Sequence, residues 1–343
     1  MTRNSHAKYR HRLPQQDGGL FLTDGGLETT LIFHDGFDLP MFASFVLTES
    51  ERGRAALRAY FERYVAMAVH HGIGFILESP TWRANPDWGQ KLGYDRNRLA
   101  RANRAAIAMM RDIRDAGETA RTPLVISGNI GPRGDGYDPG ALMSPSEAEA
   151  YHAWQIGIFK EAGADLVSAF TLTNVNEAIG VARAAKAAGM PCVISFTLET
   201  DGRLPTGESL AAAIEAVDRE TDRAPAYYMI NCAHPDHFSA VLQDAPALRE
   251  RLRGLRANAS RMSHAELDNS TELDAGDPHE LGELYAALLR RFPRINVLGG
   301  CCGTDHRHVG CISTSCRDHS HRPATGLAIQ AAEQRMACVG FPA

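Results

Sequence analysis

The sequence predicts a closed (β/α)8 barrel, a TIM barrel of the α/β class in a single domain. Three observations carry that prediction. Short apolar or β-branched runs recur along the chain, and each is followed by Gly, Asn, Pro or Thr. A longer stretch with helical spacing then follows most of them, which is the signature of repeated βα units. No linker or compositional break divides the 343 residues, and no GxGxxG turn follows the first run, which disfavours an open doubly wound sheet.

Taken in order, residues 1–16, MTRNSHAKYRHRLPQQ, read as a flexible polar tail. Strands are expected near Phe21 to Asp24, Gly74 to Glu78, Leu124 to Gly128, Asp165 to Ala169, Cys192 to Thr197, Tyr227 to Asn231, Gly254 to Ala257 and Asn296 to Leu298. A ninth run, Phe42 to Phe45, reads as a short extended piece inside the first βα loop. Helices are expected at Glu51 to His71, Arg96 to Ala116, Pro145 to Ala162, Asn176 to Ala188, Gly207 to Arg219, Pro235 to Leu242 and Pro278 to Arg291. Ser144-Pro145 with Glu147, and Asp277-Pro278 with Glu280, are helix-start signals. The barrel is thus placed at 17–310, with 311–343 a C-terminal segment of no assigned role.

Hydrophobic residues at 44% and charged residues at 22% allow a large core. A net charge of -5 excludes the concentrated basic face that gripping nucleic acid requires. No run approaches the ~18 apolar residues of a membrane span, and the N-terminus lacks the apolar centre of a secretory signal. A cytoplasmic protein acting on small molecules is expected, with a homo-oligomer left open. The adjacent pair Cys301-Cys302 suits metal or catalytic chemistry in a reducing compartment better than a disulfide framework.

Active sites of such barrels gather at the carboxyl ends of the strands. Those ends read Asp24-Gly25-Gly26, Glu78-Ser79-Pro80-Thr81, Asn129-Ile130-Gly131-Pro132, Thr171, Asn231-Cys232, Asn258 and Gly299-Gly300-Cys301-Cys302-Gly303. Cys232 after the sixth strand and Cys301-Cys302 after the eighth stand on alternate strands, which fill the same layer of a barrel. Neighbouring strands lie about 4.8 Å apart, so three inward thiolates about 2.3 Å from one ion can span the gap, and zinc suits them. Both adjacent cysteines reach one metal only if the backbone leaves β geometry there, which the flanking glycines permit. Three ligands leave an open fourth position, the pattern of a catalytic zinc. The alternative is that these cysteines are buried small hydrophobes. Cys192 reads as core, and Cys311, Cys316 and Cys338 have no spacing that ties them to the site.

The motifs DGGLETTL (Asp24 to Leu31), GNIGP (Gly128 to Pro132), AGADLV (Ala162 to Val167), MINCAHP (Met229 to Pro235) and LGGCCGT (Leu298 to Thr304) span nearly the whole chain. On them the chain resembles the homocysteine S-methyltransferase family, which includes the betaine-dependent enzymes and the homocysteine-binding module of methionine synthase. The resemblance implies a zinc-dependent barrel with Cys232, Cys301 and Cys302 as ligands and Asp24, Gly25 and Gly26 shaping the pocket for the amino-acid end of homocysteine. Asp24 is suited to an ammonium and the glycine amides to a carboxylate. The resemblance also implies methyl transfer from a small donor, S-methylmethionine or S-adenosylmethionine, with betaine next.

Two departures bear on the acceptor. Many relatives carry a glutamate and then Thr after the fourth strand, where it helps to hold the substrate amino group, whereas this chain has Phe170-Thr171. Either Asp24, Glu28 or Glu78 takes that part, or the thiol is not homocysteine. Glu28 itself replaces a position that is small in many relatives. The expected substrate contacts are therefore Asp24, Gly25, Gly26, Glu28, Glu78, Thr171, Asn231 and Asn258. His264 reads as solvated or a pocket group, and His306 and His308 as an exposed helix start or as donors orienting the site. The other classes weighed are a zinc hydrolase, whose Lewis acidity three thiolates would blunt, and a non-catalytic thiol-binding barrel.

Overall fold

Eight parallel strands close into one barrel in sequence order, β1 pairing with both β2 and β8, in a computed structural model that describes residues 7–317 apart from 243, 244 and 271. The strands are β1 (Phe21–Leu22), β2 (Gly74–Glu78), β3 (Leu124–Ile130), β4 (Leu166–Leu172), β5 (Cys192–Thr197), β6 (Tyr227–Asn231), β7 (Leu252–Ala257) and β8 (Val297–Gly300). Their side chains are buried on both faces, as a helix-covered parallel sheet requires, and this is why they read as nearly continuous apolar runs.

One face of each strand packs outward under the helices Glu51–His71, Arg96–Gly117, Pro145–Ala162, Val175–Ala188, Leu210–Thr221 and Pro278–Arg291. The alternate face points into the lumen. Phe21, Ile76, Val125, Leu166, Val193, Tyr227, Met229 and Val297 fill its lower layers. Towards the carboxyl end the lumen turns polar. There Ser127, Ser168, Ser195, Glu78, Asn231 and Arg256 replace the apolar layer, all of them buried.

Helix starts carry the caps that the sequence signals. Ser144 and Glu147 form a reciprocal capping box, and Asp277 accepts from the His279 and Glu280 amides. Phe42 to Phe45 is not extended. It falls within 3-10 turns, Pro40–Phe42 and Ser44–Glu49, with Met41 and Phe42 in the left-handed region. The helix expected from Pro235 to Leu242 stops at Phe238, and a further one, Pro246–Arg251, precedes β7.

Both ends of the chain depart from expectation. Residues 7–16 are not a loose tail: Leu13 and Gln15 are buried under the barrel, and Gln15 Nε2 donates to the Tyr227 hydroxyl at 3.3 Å. The Tyr9 amide donates to Asp165, which also takes Arg114 at 2.9 Å and the Ile126 amide at 2.9 Å. The aspartate of the AGADLV motif thus closes the amino end of the barrel and lies far from the strand ends. At the other end a helix runs from His306 to Arg317 and packs on Pro278–Arg291 and β8, with Cys311 and Cys316 buried. Residues 1–6 and 318–343, with Cys338, lie outside the described residues. No helix among the described residues is long and apolar enough to cross a membrane.

Candidate metal centre and acceptor pocket

Cys232 is the first residue beyond β6, and its backbone is left-handed (φ 53°), unusual for a residue with a side chain. Thr171, at the end of β4, is left-handed too (φ 61°). One side chain ties the two together. Asn231 Oδ1 accepts from the Thr171 amide at 2.9 Å and from Ser195 Oγ at 2.6 Å, while its Nδ2 donates to Thr171 Oγ1 at 2.8 Å. Asn231 and Thr171, expected as substrate contacts, are engaged with each other and shape the cysteine loop.

Cys301 and Cys302 follow β8, where the strand geometry breaks, as sharing one metal would require. The turn closes through Gly303 (φ 78°), whose amide donates to Thr29 Oγ1 at 3.0 Å. The first-strand motif seats this turn. The Gly26 amide donates to both the carbonyl and the hydroxyl of Thr304, at 3.0 and 3.1 Å. A Cβ on Gly26 would stand 2.6 Å from the Cys301 carbonyl. Gly26 is therefore needed for the approach of the cysteine loop, and its amide is not left for a carboxylate.

The three sulfurs converge, all lying within 4.8 Å of one another. The sulfurs of Cys232 and Cys301 are in direct contact across a Cα separation of 5.5 Å. As thiolates, this soft trio on the loops after the alternate strands β6 and β8 matches a tetrahedral ion whose ligand sulfurs stand about 3.8 Å apart, so the donor set fits zinc. Around it, Tyr137 Oη lies 3.4 Å from Cys302 Sγ and its ring stacks on His264 at 4.0 Å. His264 is buried, not solvated, and its Nε2 donates to the Cys232 carbonyl at 2.6 Å while Nδ1 faces Glu199 at 3.4 Å. A shallow recess beside Cys232 is lined in part by Glu199, Asn258 and His264. His308 is buried against Asp305 and the Ala275 carbonyl, and His306 is half-buried near Arg63.

Below the cysteines sits a charge cluster that includes one residue the sequence reading missed. Arg256 of β7 crosses the lumen, with its guanidinium 5.0 Å above the ring of Phe170. It donates to Asp24 Oδ1 at 2.7 Å, to the Gly25 carbonyl at 3.2 Å and to the Gly300 carbonyl at 3.1 Å. The Tyr60 hydroxyl donates to the other Asp24 oxygen at 3.0 Å. Glu78 is 3% exposed, and its Oε1 accepts from Ser168 at 3.0 Å, itself paired with Ser127. Burial pushes the Glu78 carboxyl up to about 7, against the opposing pull of Arg256. Glu28 is turned to Ser44, which donates to it at 2.8 Å, and burial raises its carboxyl as well. Arg256 was hidden because RGLRA reads as a weak, half-polar strand, and its partner Asp24 lies at the other end of the chain.

Comparisons with known proteins agree with this architecture. The family model for homocysteine S-methyltransferase matches residues 21–316. Mouse betaine–homocysteine S-methyltransferase 1 is 23% identical over 235 residues, which cover 62% of this chain and 53% of that enzyme. The chain thus spans about half the length of that relative. The homocysteine methyltransferase MmuM of Escherichia coli superposes in its oxidised form with a TM-score of 0.69 at 21% identity, covering 88% of this chain and 97% of that one. Its metallated form gives 0.64 at 20% identity, covering 87% and 96%. With the model match extending over nearly all of the barrel, the chain belongs to the homocysteine S-methyltransferase family.

Proposed function

We propose that this protein is a zinc-dependent S-methyltransferase that moves a methyl group from a small activated donor, S-methylmethionine or S-adenosylmethionine, to homocysteine, giving methionine. The observation that carries the reading is the convergence of three cysteine sulfurs from the β6 and β8 loops on one point at the carboxyl end of a family barrel. Cys232, Cys301 and Cys302 are the residues that would hold the ion, and when bound it supplies an acceptor thiol in its deprotonated form at neutral pH.

The chain's own residues prepare the site for that chemistry. Asn231 fixes the backbone of Thr171, while the Cys232 amide donates to the Arg256 carbonyl at 3.1 Å and His264 holds the Cys232 carbonyl. Phe170 and the apolar layers beneath it keep water from the floor of the pocket. The metallated relative from E. coli and the name of the mouse enzyme support the metal and the acceptor proposed here.

The test is turnover of homocysteine with a panel of methyl donors, measured beside zinc content. Methyl transfer that tracks zinc supports the reading. Zinc-replete protein that transfers no methyl group from any donor overturns it.

A further inference from the structure

If the acceptor is an amino-acid thiol, as the proposed function holds, its ammonium and carboxylate both need partners among the buried polar groups at the carboxyl end of the lumen. The groups first expected to anchor them, Asp24 and Gly26, are already engaged. Both Asp24 oxygens are taken, one by Arg256 at 2.7 Å and one by Tyr60 at 3.0 Å. The Gly26 amide is held by Thr304. Phe170 presents an apolar ring, which accepts no hydrogen bond from an ammonium in the manner of a carboxylate.

Two groups remain with capacity to bind. Glu78 Oε2 is buried and accepts from no group among the described residues. A buried acceptor left without a donor is costly, and native interiors keep few of them. Arg256 uses three N–H donors on the chain, and a guanidinium carries five. These two side chains face into the same polar layer, close enough for each to feel the charge of the other.

We propose that Glu78 and Arg256 form a clamp for the amino-acid end of the acceptor, the ammonium on Glu78 and the carboxylate on Arg256, with Asp24 as the residue that positions Arg256. Signs and capacities match on both sides. Glu78 offers one oxygen to a donor cation, and Arg256 offers two donors to an anion while Phe170 holds its plane from below. A zwitterion adds no net charge to the lumen, which limits the cost of burying it. The carboxyl of Glu78, raised by burial, also gains from an incoming cation that favours its ionised form.

Zinc-loaded protein should be assayed with homocysteine, with 4-mercaptobutyrate, which lacks the ammonium, and with 3-mercaptopropylamine, which lacks the carboxylate. Each loss should lower kcat/KM by about 10- to 100-fold in the native protein, as expected for one charge-assisted contact. In Glu78→Gln the preference for homocysteine over 4-mercaptobutyrate should collapse by about tenfold or more, while its preference over 3-mercaptopropylamine persists. The joint variant Asp24→Asn with Arg256→Met, which removes the buried pair together, should show the reverse. Glu78→Asp keeps the charge and guards against misfolding of the glutamine variant; it should retain part of the discrimination. Calorimetric binding of the three thiols supplies the same ratios without turnover. Homocysteine methylated with unchanged ratios in both variants overturns the clamp and leaves the proposed function standing. Absence of methylation overturns the proposed function, and the calorimetric ratios then decide the clamp alone.

Discussion

Replacing Asn231 with alanine tests how the cysteine loop is held. The substitution removes three buried hydrogen bonds, to the Thr171 amide, to Thr171 Oγ1 and to Ser195 Oγ. At about 1 kcal/mol each the lost bonds amount to about 3 kcal/mol, and the orphaned Thr171 amide sits at the upper end of that scale. Thr171 and Cys232 are both held left-handed, a conformation that costs about 1–3 kcal/mol per residue unless neighbours enforce it. Without the amide both are free to relax, which carries Cys232 out of line with Cys301 and Cys302. Urea unfolding should therefore show a loss of about 3 kcal/mol. Chelator competition should show zinc affinity lower by about 10- to 100-fold, the usual effect of losing a group that orients a ligand. An Asn231→Ala protein that unfolds within about 1 kcal/mol of the parent and retains its zinc refutes this account. A change confined to KM would return Asn231 to the substrate-contact role expected from the sequence.

Further outcomes follow from the same geometry. Reduced protein should bind about one zinc per chain, and the triple variant Cys232→Ser, Cys301→Ser, Cys302→Ser should bind none while circular dichroism still reports the barrel. Glu78 titrates near 4.5 when unfolded and near 7 in the fold, so the folded protein keeps a proton that the unfolded chain has lost between those values. The Glu78 contribution to stability should fall as pH rises across that window, by about 3 kcal/mol in all above pH 7, and it is read as the difference between the parent and Glu78→Gln in urea titrations, because burial lowers His71 and His234 to about 4 and they act in the opposite direction. Arg114→Met leaves Asp165 buried without its cation and should cost about 3 kcal/mol of stability while KM for homocysteine stays the same, since the pair lies at the amino end of the barrel.

The strand pattern was legible wherever an apolar run is bracketed by turn residues. β2, β5 and β6 start and stop where the sequence places them, because a strand buried on both faces leaves no ambiguity of burial. β7 was the weak one. Its Leu252–Ala257 run carries two arginines, Arg253 and Arg256, in six residues, and a charged residue on a strand reads as solvent-facing until its partner is known. That partner, Asp24, is 232 positions away, a separation that local pattern cannot bridge. The helix His306–Arg317 was hidden for another reason. HRHVGCISTSCR is built from weak helix formers, and packing against Pro278–Arg291 decides its state. Among site residues, the cysteines were found through their motifs. Tyr137, Glu199 and Arg256 sit on loops or strands whose chemistry shows only after the chain is folded.

The closed amino end has a consequence for traffic. With Leu13 and Gln15 seated beneath the lowest apolar layer, the amino end of the barrel is plugged among the described residues, and ligands of the strand-end site must approach from the cysteine side. An acceptor anchored on Glu78 occupies the deep end, and a methyl donor must then meet its sulfur from above. The proposed clamp therefore predicts an ordered reaction, acceptor first and donor second with the methylated product last to leave, so that in initial-rate kinetics excess donor should compete with acceptor entry while excess acceptor should not block the donor.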